Sequence, residues 1–376
     1  MHYTLHLTAK CNMCCKYCYV SPCAATMTED TARAAVELAL QNGGRRLGLI
    51  FFGGEPLLCR DLIEQTIAYS TRRASETAHC AHGKFFYKMT TNGLLLDGAF
   101  LNYAREHDIF IALSIDGIEK AHDAHRQMSG GGATHGQVVA AAKRLLSQQP
   151  YAPALMTVNP DTVQYYRESV EFLYKTGFRY IICSLNYAAD WDDESLRELK
   201  RQYIKLADFY YDRTVAEDKF YLSPFEVKIS SHVHNKTYRH ERCELGQHQL
   251  SVAPDGGLFP CVQFVGDGRY QIGNVFAGID QTARERLFVQ NEAEKPGCDI
   301  CSIKGRCNHY CACLNKQATG SIDVVSEVLC AHERIILPIA DRVAARLYDR
   351  RSPIFIQKHY NDFYPLISLA EDKAAK

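Results

Sequence analysis

The chain has no excess of charge: 43 Lys+Arg stand against 43 Asp+Glu in 376 residues. A general nucleic-acid binder needs a basic footprint, so no nucleic-acid partner is expected. Long apolar runs are also missing. None reaches the ~18–20 residues of a membrane helix. The opening residues, Met1–Leu7, lack the basic start and apolar stretch of a secretory signal. A cytoplasmic protein without a membrane partner is the expectation. There is no internal repeat and no low-complexity segment. A hydrophobic content of 47% excludes wholesale disorder. At roughly 100–200 residues per domain, the length suggests two or three domains.

Cysteine is what the chain has in abundance, with 16 residues. In a reducing compartment such a set reads as metal ligands rather than disulfides. Seven cysteines lie between positions 11 and 80, one is at 183, and eight lie between 243 and 330. The stretch between is nearly empty. Two metal-bearing regions are therefore expected at opposite ends of the sequence.

Hydrophobic periodicity alternates between strands and helices over the first half. Strands are expected at 3–8, 47–52, 85–90, 109–115, 154–158 and 178–185. Helices are expected from Thr28, which can cap the first, to Gly43-Gly44, then at 61–72, 97–106, 137–147 and 163–176. Repeated β-α units imply parallel strands with helices outside, in a barrel or a doubly wound sheet. Chemistry then sits at the C-terminal strand ends. Those ends are polar or glycine-rich here: Cys11–Cys18, Gly53-Gly54-Glu55-Pro56, Thr90-Thr91-Asn92-Gly93 and Ser114–Gly117. A long helix is expected over 193–219. Beyond about 230 come short strand and turn signals, then cysteine-rich loops and a helical tail over 334–348, with a kink expected at Pro338.

Cys11, Cys15 and Cys18 form C-x3-C-x2-C. A zinc knuckle would want a fourth nearby ligand, and the adjacent Cys14 cannot easily share an ion with Cys15. Three thiolates from one short loop suit a [4Fe–4S] cubane with one open iron. With Tyr17 before the last cysteine, and GGEP one β-α unit later, the sequence resembles the radical S-adenosylmethionine (SAM) family. Ser114-Ile115-Asp116-Gly117 and Arg126 continue the likeness.

That resemblance implies a partial (β/α)6 TIM-type barrel over residues 1–225. It implies that Tyr17 neighbours the adenine, that Gly53, Gly54 and Glu55 meet the methionine ammonium, that Ser114 meets the ribose, and that Arg126 meets the carboxylate. Thr91 and Asn92 are expected to line the same mouth. The family's chemistry is reductive cleavage of SAM, which yields a 5′-deoxyadenosyl radical that abstracts a hydrogen atom from substrate. The electron comes from an external flavodoxin or ferredoxin.

The second set runs Cys243-x12-Gly-x4-Cys261, then Cys298-x2-Cys301-x5-Cys307-x3-Cys311, then Cys330. It resembles the SPASM domain of peptide-modifying radical enzymes, expected over 226–335 with a helical tail over 336–376. Zinc remains the alternative for C-x2-C-x5-C taken alone. By resemblance there are two auxiliary [4Fe–4S] clusters, three in all with the first. Cys298, Cys301, Cys307 and Cys330 would hold the distal one, and Cys243, Cys261 and Cys311 the proximal one. No further cysteine follows Cys243 closely, so an open proximal iron or recruitment of Cys313 both stand.

The substrate implied is a ribosomally made, cysteine-containing peptide, and the leading reaction is a Cys-to-carbon thioether. Anaerobic sulfatase maturation to formylglycine is the rival. Those relatives carry an Asp base after the second SPASM cysteine, where this chain has Val262, although Asp255 or Asp267 could substitute. Carbon–carbon cross-linking, decarboxylation and epimerisation are further products of such enzymes.

Overall fold

A computed structural model describes the chain except for residues 21–23, 43–46, 78–83, 235–243 and 375–376, and the side chains of 372–374. Cys23, Cys80 and Cys243 therefore lie outside the described residues, as does the expected helix end at Gly43-Gly44.

The order opens with β1 (His2–Thr8), α1 (Glu29–Asn42), β2 (Leu47–Gly53), α2 (Arg60–Glu76), β3 (Phe85–Thr91), α3 (Gly98–Glu106) and β4 (Ile109–Ser114). It continues with α4 (Glu119–His125), α5 (His135–Gln148), β5 (Pro153–Val158), α6 (Tyr166–Thr176), β6 (Tyr180–Leu185) and α7 (Asp193–Val215). Then follow β7 (Tyr221–Leu222), α8 (Ser223–Val233), β8 (Gln249–Val252), β9 (Leu258–Phe259), β10 (Gly273–Asn274) and β11 (Gly278–Ile279). The chain ends with α9 (Gln281–Glu292), α10 (Ala312–Thr319), α11 (Glu327–Asp349), α12 (Pro353–Tyr360) and α13 (Tyr364–Ala374).

Nine strands form one sheet in the order β7-β6-β5-β4-β3-β2-β1-β8-β9. From β7 to β8 every pairing is parallel, and only β8–β9 is antiparallel. This is an α/β fold with the sheet of a partial barrel, as the β-α repeat predicts. β1 is interior to the sheet, and after His2 it is buried along its whole length. That double-sided burial explains its continuous apolar and small-polar run.

The expected domain boundaries both fall within helices. The one at 225/226 falls inside α8, and the one at 335/336 falls inside α11. The sheet itself crosses the first: β8 pairs with β1 in register, from His2↔Gln249 to Leu5↔Val252. The physical reason is the open edge of β1, whose backbone groups need partners that only a later segment supplies. The helix of the tail begins at Glu327, not 334, and runs on through Pro338. Its buried face repeats at helical spacing through Leu329, Ile336, Leu337, Ala340, Val343, Ala344 and Leu347. Each large side chain of that stripe contributes about 1.5–3 kcal/mol by leaving water. No helix among the described residues is long and apolar enough to cross a membrane.

Candidate active site

The loop after β1 carries the first three thiols over the C-terminal ends of the parallel strands. Backbone bonds fix it to the segment after α4: Cys14 N–H donates to Gln127 O at 2.8 Å and Lys16 N–H to His125 O at 3.0 Å. The two glycines after β2 let the next strand end approach. Gly54 N–H donates to Thr8 O at 2.7 Å, and Glu55 N–H to Lys10 O at 2.9 Å. A Cβ on Gly54 would lie 2.0 Å from Lys10 O, and Gly53 has φ +130°. Only glycine permits this approach.

Cys11, Cys15 and Cys18 line one cavity of about 350 Å³, together with Tyr17, Gly53, Gly54, Thr91, Asn92, Ser114 and Arg126. These are the positions expected at the barrel mouth, apart from Glu55. Gln263, Leu314 and Gln317, from the carboxy-terminal region, close the same cavity.

Glu55 is placed otherwise than expected. Its carboxylate is fully buried and accepts from Thr91 Oγ1 at 2.8 Å, Asn92 N–H at 2.8 Å and Leu57 N–H at 3.1 Å. Burial pushes its pKa up to about 7. The carboxylate thus ties the ends of β2 and β3 together, behind the lining of the cavity. Oε1 accepts two bonds and Oε2 one, contacts that motif spacing does not reveal. Asn92 is likewise occupied. Its Nδ2 donates to Asn12 Oδ1 at 2.8 Å and approaches Cys11 Sγ at 3.6 Å.

Asp116 is the residue that motif reading passed over. Its Oδ2 accepts from Tyr17 O–H at 2.5 Å and from Arg126 Nε at 3.0 Å, and its Oδ1 from Thr157 N–H at 2.9 Å. The Arg126 guanidinium also sits 5.4 Å from the Tyr17 ring centroid. An Asp between Ser114 and Arg126 was the available signal, since a buried arginine needs a counter-charge. Arg126 spends Nε on that pair and lines the cavity. Its terminal nitrogens make no hydrogen bond among the described residues, so the fork is available to a carboxylate. Beneath it, His122 Nδ1 accepts from Asp116 N–H at 3.3 Å. Burial, then the nearby Arg126 charge, hold His122 well below the usual imidazole range, hence neutral.

The thiols fit a multi-iron group. Burial pushes Cys15 up to about 11, and raises Cys11 as well, so a strong positive charge is needed to ionise them. Met13 N–H and Asn92 Nδ2 point at Cys11 Sγ, the donors that a sulfur ligand needs. No three His, Cys, Asp or Glu side chains among the described residues close on a single-ion site. A cubane spreads its ligands around a larger body than one ion.

In the carboxy-terminal region, Cys298, Cys301, Cys307 and Cys330 lie close enough to influence one another's ionisation. Burial, the largest influence, pushes Cys307 up to about 12. The loop bearing Cys307 is pinned from both sides. Arg306 forks onto Asp341 at 2.9 and 2.6 Å, and also donates to Lys228 O at 3.1 Å. A buried Lys228–Glu333 pair at 2.7 Å joins α8 to α11, and Glu333 accepts from Asn308 N–H at 3.3 Å. Cys261 and Cys311 meet a third thiol, that of Cys313.

Residues 5–173 match the model of the Radical SAM superfamily, and this part of the chain is a radical SAM domain. Such a domain works with a [4Fe–4S] cluster and SAM, so the chain is an enzyme. The chain is 24% identical to the serine-type anaerobic sulfatase-maturating enzyme of Klebsiella aerogenes, over 80% of this chain and 76% of the relative. It is 21% identical to the radical SAM cyclopropyl synthase TigE of Paramaledivibacter caminithermalis, over 93% and 74%. The fold superposes with a TM-score of 0.78 and 18% identity on native anSMEcpe with bound AdoMet and Kp18Cys peptide, covering 93% of this chain and all of that one.

Proposed function

We propose that this enzyme is an oxidative peptide maturase of the radical SAM/SPASM type, joining a cysteine sulfur to a carbon of a ribosomally made peptide. Cys11, Cys15 and Cys18 would hold the first cluster, with two auxiliary clusters in the carboxy-terminal region. When bound, cluster and SAM together supply a radical able to take a hydrogen atom from the substrate. The chain's own part is placement. Arg126, held by Asp116, receives the SAM carboxylate; Tyr17, Ser114 and the bare backbone of Gly53 and Gly54 shape the rest of its bed. Leu155, Met156 and Leu185 give this bed an apolar wall that excludes water.

A second cavity of about 490 Å³ shares Tyr19, Val20 and Gln263 with the first. It supports a path for a peptide between sheet and carboxy-terminal loops. The relatives' printed names, which include a peptide-bound structure, support a peptide as partner.

One observation carries the choice of sulfur chemistry. Among the described residues lining the first cavity there is no carboxylate and no imidazole. A base-poor chamber favours the substrate group that ionises most easily. A cysteine thiol, at about 8.5, does so far more readily than a serine hydroxyl. Val262 is no base, and Asp267 is held well below the usual carboxylate range, first by Arg269 and also by Lys316. Formylglycine formation from serine is thereby disfavoured, and formation from cysteine lacks the base expected at position 262, Asp255 and Asp267 lining the second cavity instead of the first.

The test is anaerobic incubation of the reconstituted enzyme with a cysteine-containing precursor peptide, SAM and a low-potential reductant. Mass spectrometry should show loss of two hydrogens and one fewer alkylatable cysteine. Exchange of cysteine sulfur for oxygen would establish formylglycine and overturn the proposal.

A further inference from the structure

Cys313 falls outside the seven-cysteine pattern, yet it sits among that pattern's members. Cys311 caps the start of α10, and Cys313 lies two residues on, in its first turn. The two sulfurs are 3.4 Å apart. Cys313 also reaches Cys261, which lies just beyond β9. Cys313 thus bridges two sulfurs that are 50 positions apart in sequence. Helix geometry accounts for part of this. Residues two apart project to different sides of a helix, but Cys311 is the cap and its extended backbone (φ −75°, ψ 95°) turns its side chain back over the first turn.

A thiol that meets two others is poorly explained by packing alone. A thiol is a weak hydrogen-bonding group, and an apolar side chain would fill the same space without exposing the chain to oxidation. The separation is also well beyond a disulfide bond, which is about 2.05 Å. Soft thiols gathered in one place are the ligand type that an iron–sulfur body takes, and around a cubane they would spread further apart than 3.4 Å.

We propose that Cys313 is a thiolate ligand of the proximal iron–sulfur cluster, beside Cys261 and Cys311. This rests on the reading that the carboxy-terminal region holds auxiliary clusters. Cys313 then takes the iron that the seven-cysteine pattern leaves open. The substrate sulfur is not held on that iron, and the cluster's part in turnover is to accept an electron. The substrate thiol must ionise in the base-poor chamber at close to its own pKa.

The experiment uses the full chain, anaerobically reconstituted, in a background where Cys11, Cys15 and Cys18 are replaced by Ala, so that only auxiliary clusters contribute. Iron analysis comes first. About eight irons per chain agree with two auxiliary cubanes; none would sink the underlying reading, separately from the proposal. Native iodoacetamide labelling follows, with peptide mapping. Cys313 should be protected in the reconstituted protein and labelled after iron chelation. Labelling before chelation, or recovery of a Cys311–Cys313 disulfide, overturns the proposal without the need for any variant. Cyanide then probes for an open iron by the EPR spectrum of the reduced protein. The spectrum should not respond with Cys313 present, and should shift in Cys313→Ala. A shift of equal size in both proteins means that the iron was open from the start, and that Cys313 is a spare thiol.

Discussion

The two cysteine regions are held by opposite means. The amino-terminal loop is fastened by backbone bonds from neighbouring strand ends, among them Gly54 N–H to Thr8 O at 2.7 Å and Cys14 N–H to Gln127 O at 2.8 Å. Its three ligand-candidate thiols face a cavity. The carboxy-terminal loops are instead clamped by side-chain charge: a buried pair, Lys228 with Glu333, and a half-buried one, Arg306 with Asp341. Cys298 and Cys307 are buried there. The amino-terminal loop leaves its mouth open, with the buried Arg126–Asp116 pair set at its wall rather than across it. An enclosed loop without regular structure needs side-chain partners for its polar groups.

The sharpest break of this comparison comes from the thiols themselves. Replacing Cys11, Cys15 or Cys18 by Ala should abolish formation of 5′-deoxyadenosine, measured by chromatography under reducing conditions. Replacing Cys298 or Cys330 should leave some cofactor cleavage while product formation is lost. Equal cleavage in both groups would erase the distinction between the regions.

The clamps come next. Glu333→Ala strands the buried Lys228 ammonium and frees the Asn308 amide. About 3–5 kcal/mol of stability should go, read from denaturant or thermal unfolding of the anaerobic protein. An unchanged midpoint would mean that the loop does not depend on the pair.

Arg126→Lys keeps the charge but loses the planar fork. SAM affinity should fall by about 1.5–3 kcal/mol, or roughly 10–100-fold in Kd, by equilibrium binding to the reconstituted enzyme. Asp116→Asn should weaken binding in the same direction through misplacement of Arg126 and Tyr17.

The smallest effect is a pH dependence at Glu55. Its folded pKa, pushed by burial to about 7, lies above the ordinary value of 4.5. The protonated form is therefore favoured by folding. The contribution is fully present below about pH 4.5 and is lost as pH rises through about 7. Glu55→Gln should remove that slope when its unfolding free energy is compared with wild type across the same range. A parallel pair of curves would show that Glu55 is ionised throughout.

Much of this was legible in the sequence because it is local. Strands β1 to β6 follow from apolar runs between turn residues, and their bounds differ from expectation by only a residue or two. The cavity thiols, Ser114 and Arg126 follow from fixed spacings beside strand ends. What escaped was long-range. Two donors to Glu55 come from the end of the next strand, from Thr91 and Asn92. Asp116 was quoted within its motif, but its three donors come from three other segments. The boundaries expected near 225 and 335 fall inside α8 and α11, because a helix obeys its own periodicity, not the change in composition around it.

By itself, then, the chain's order of residues determined an α/β sheet, two cysteine sets and a cofactor mouth, since short-range periodicity and spacing suffice for those. Tertiary structure alone decided that β8 completes the edge of β1, that Glu55 turns inward, and that Cys313 lies between Cys261 and Cys311. Each of those outcomes depends on which distant polar or sulfur group arrives within a few ångströms, and no local pattern encodes that distance.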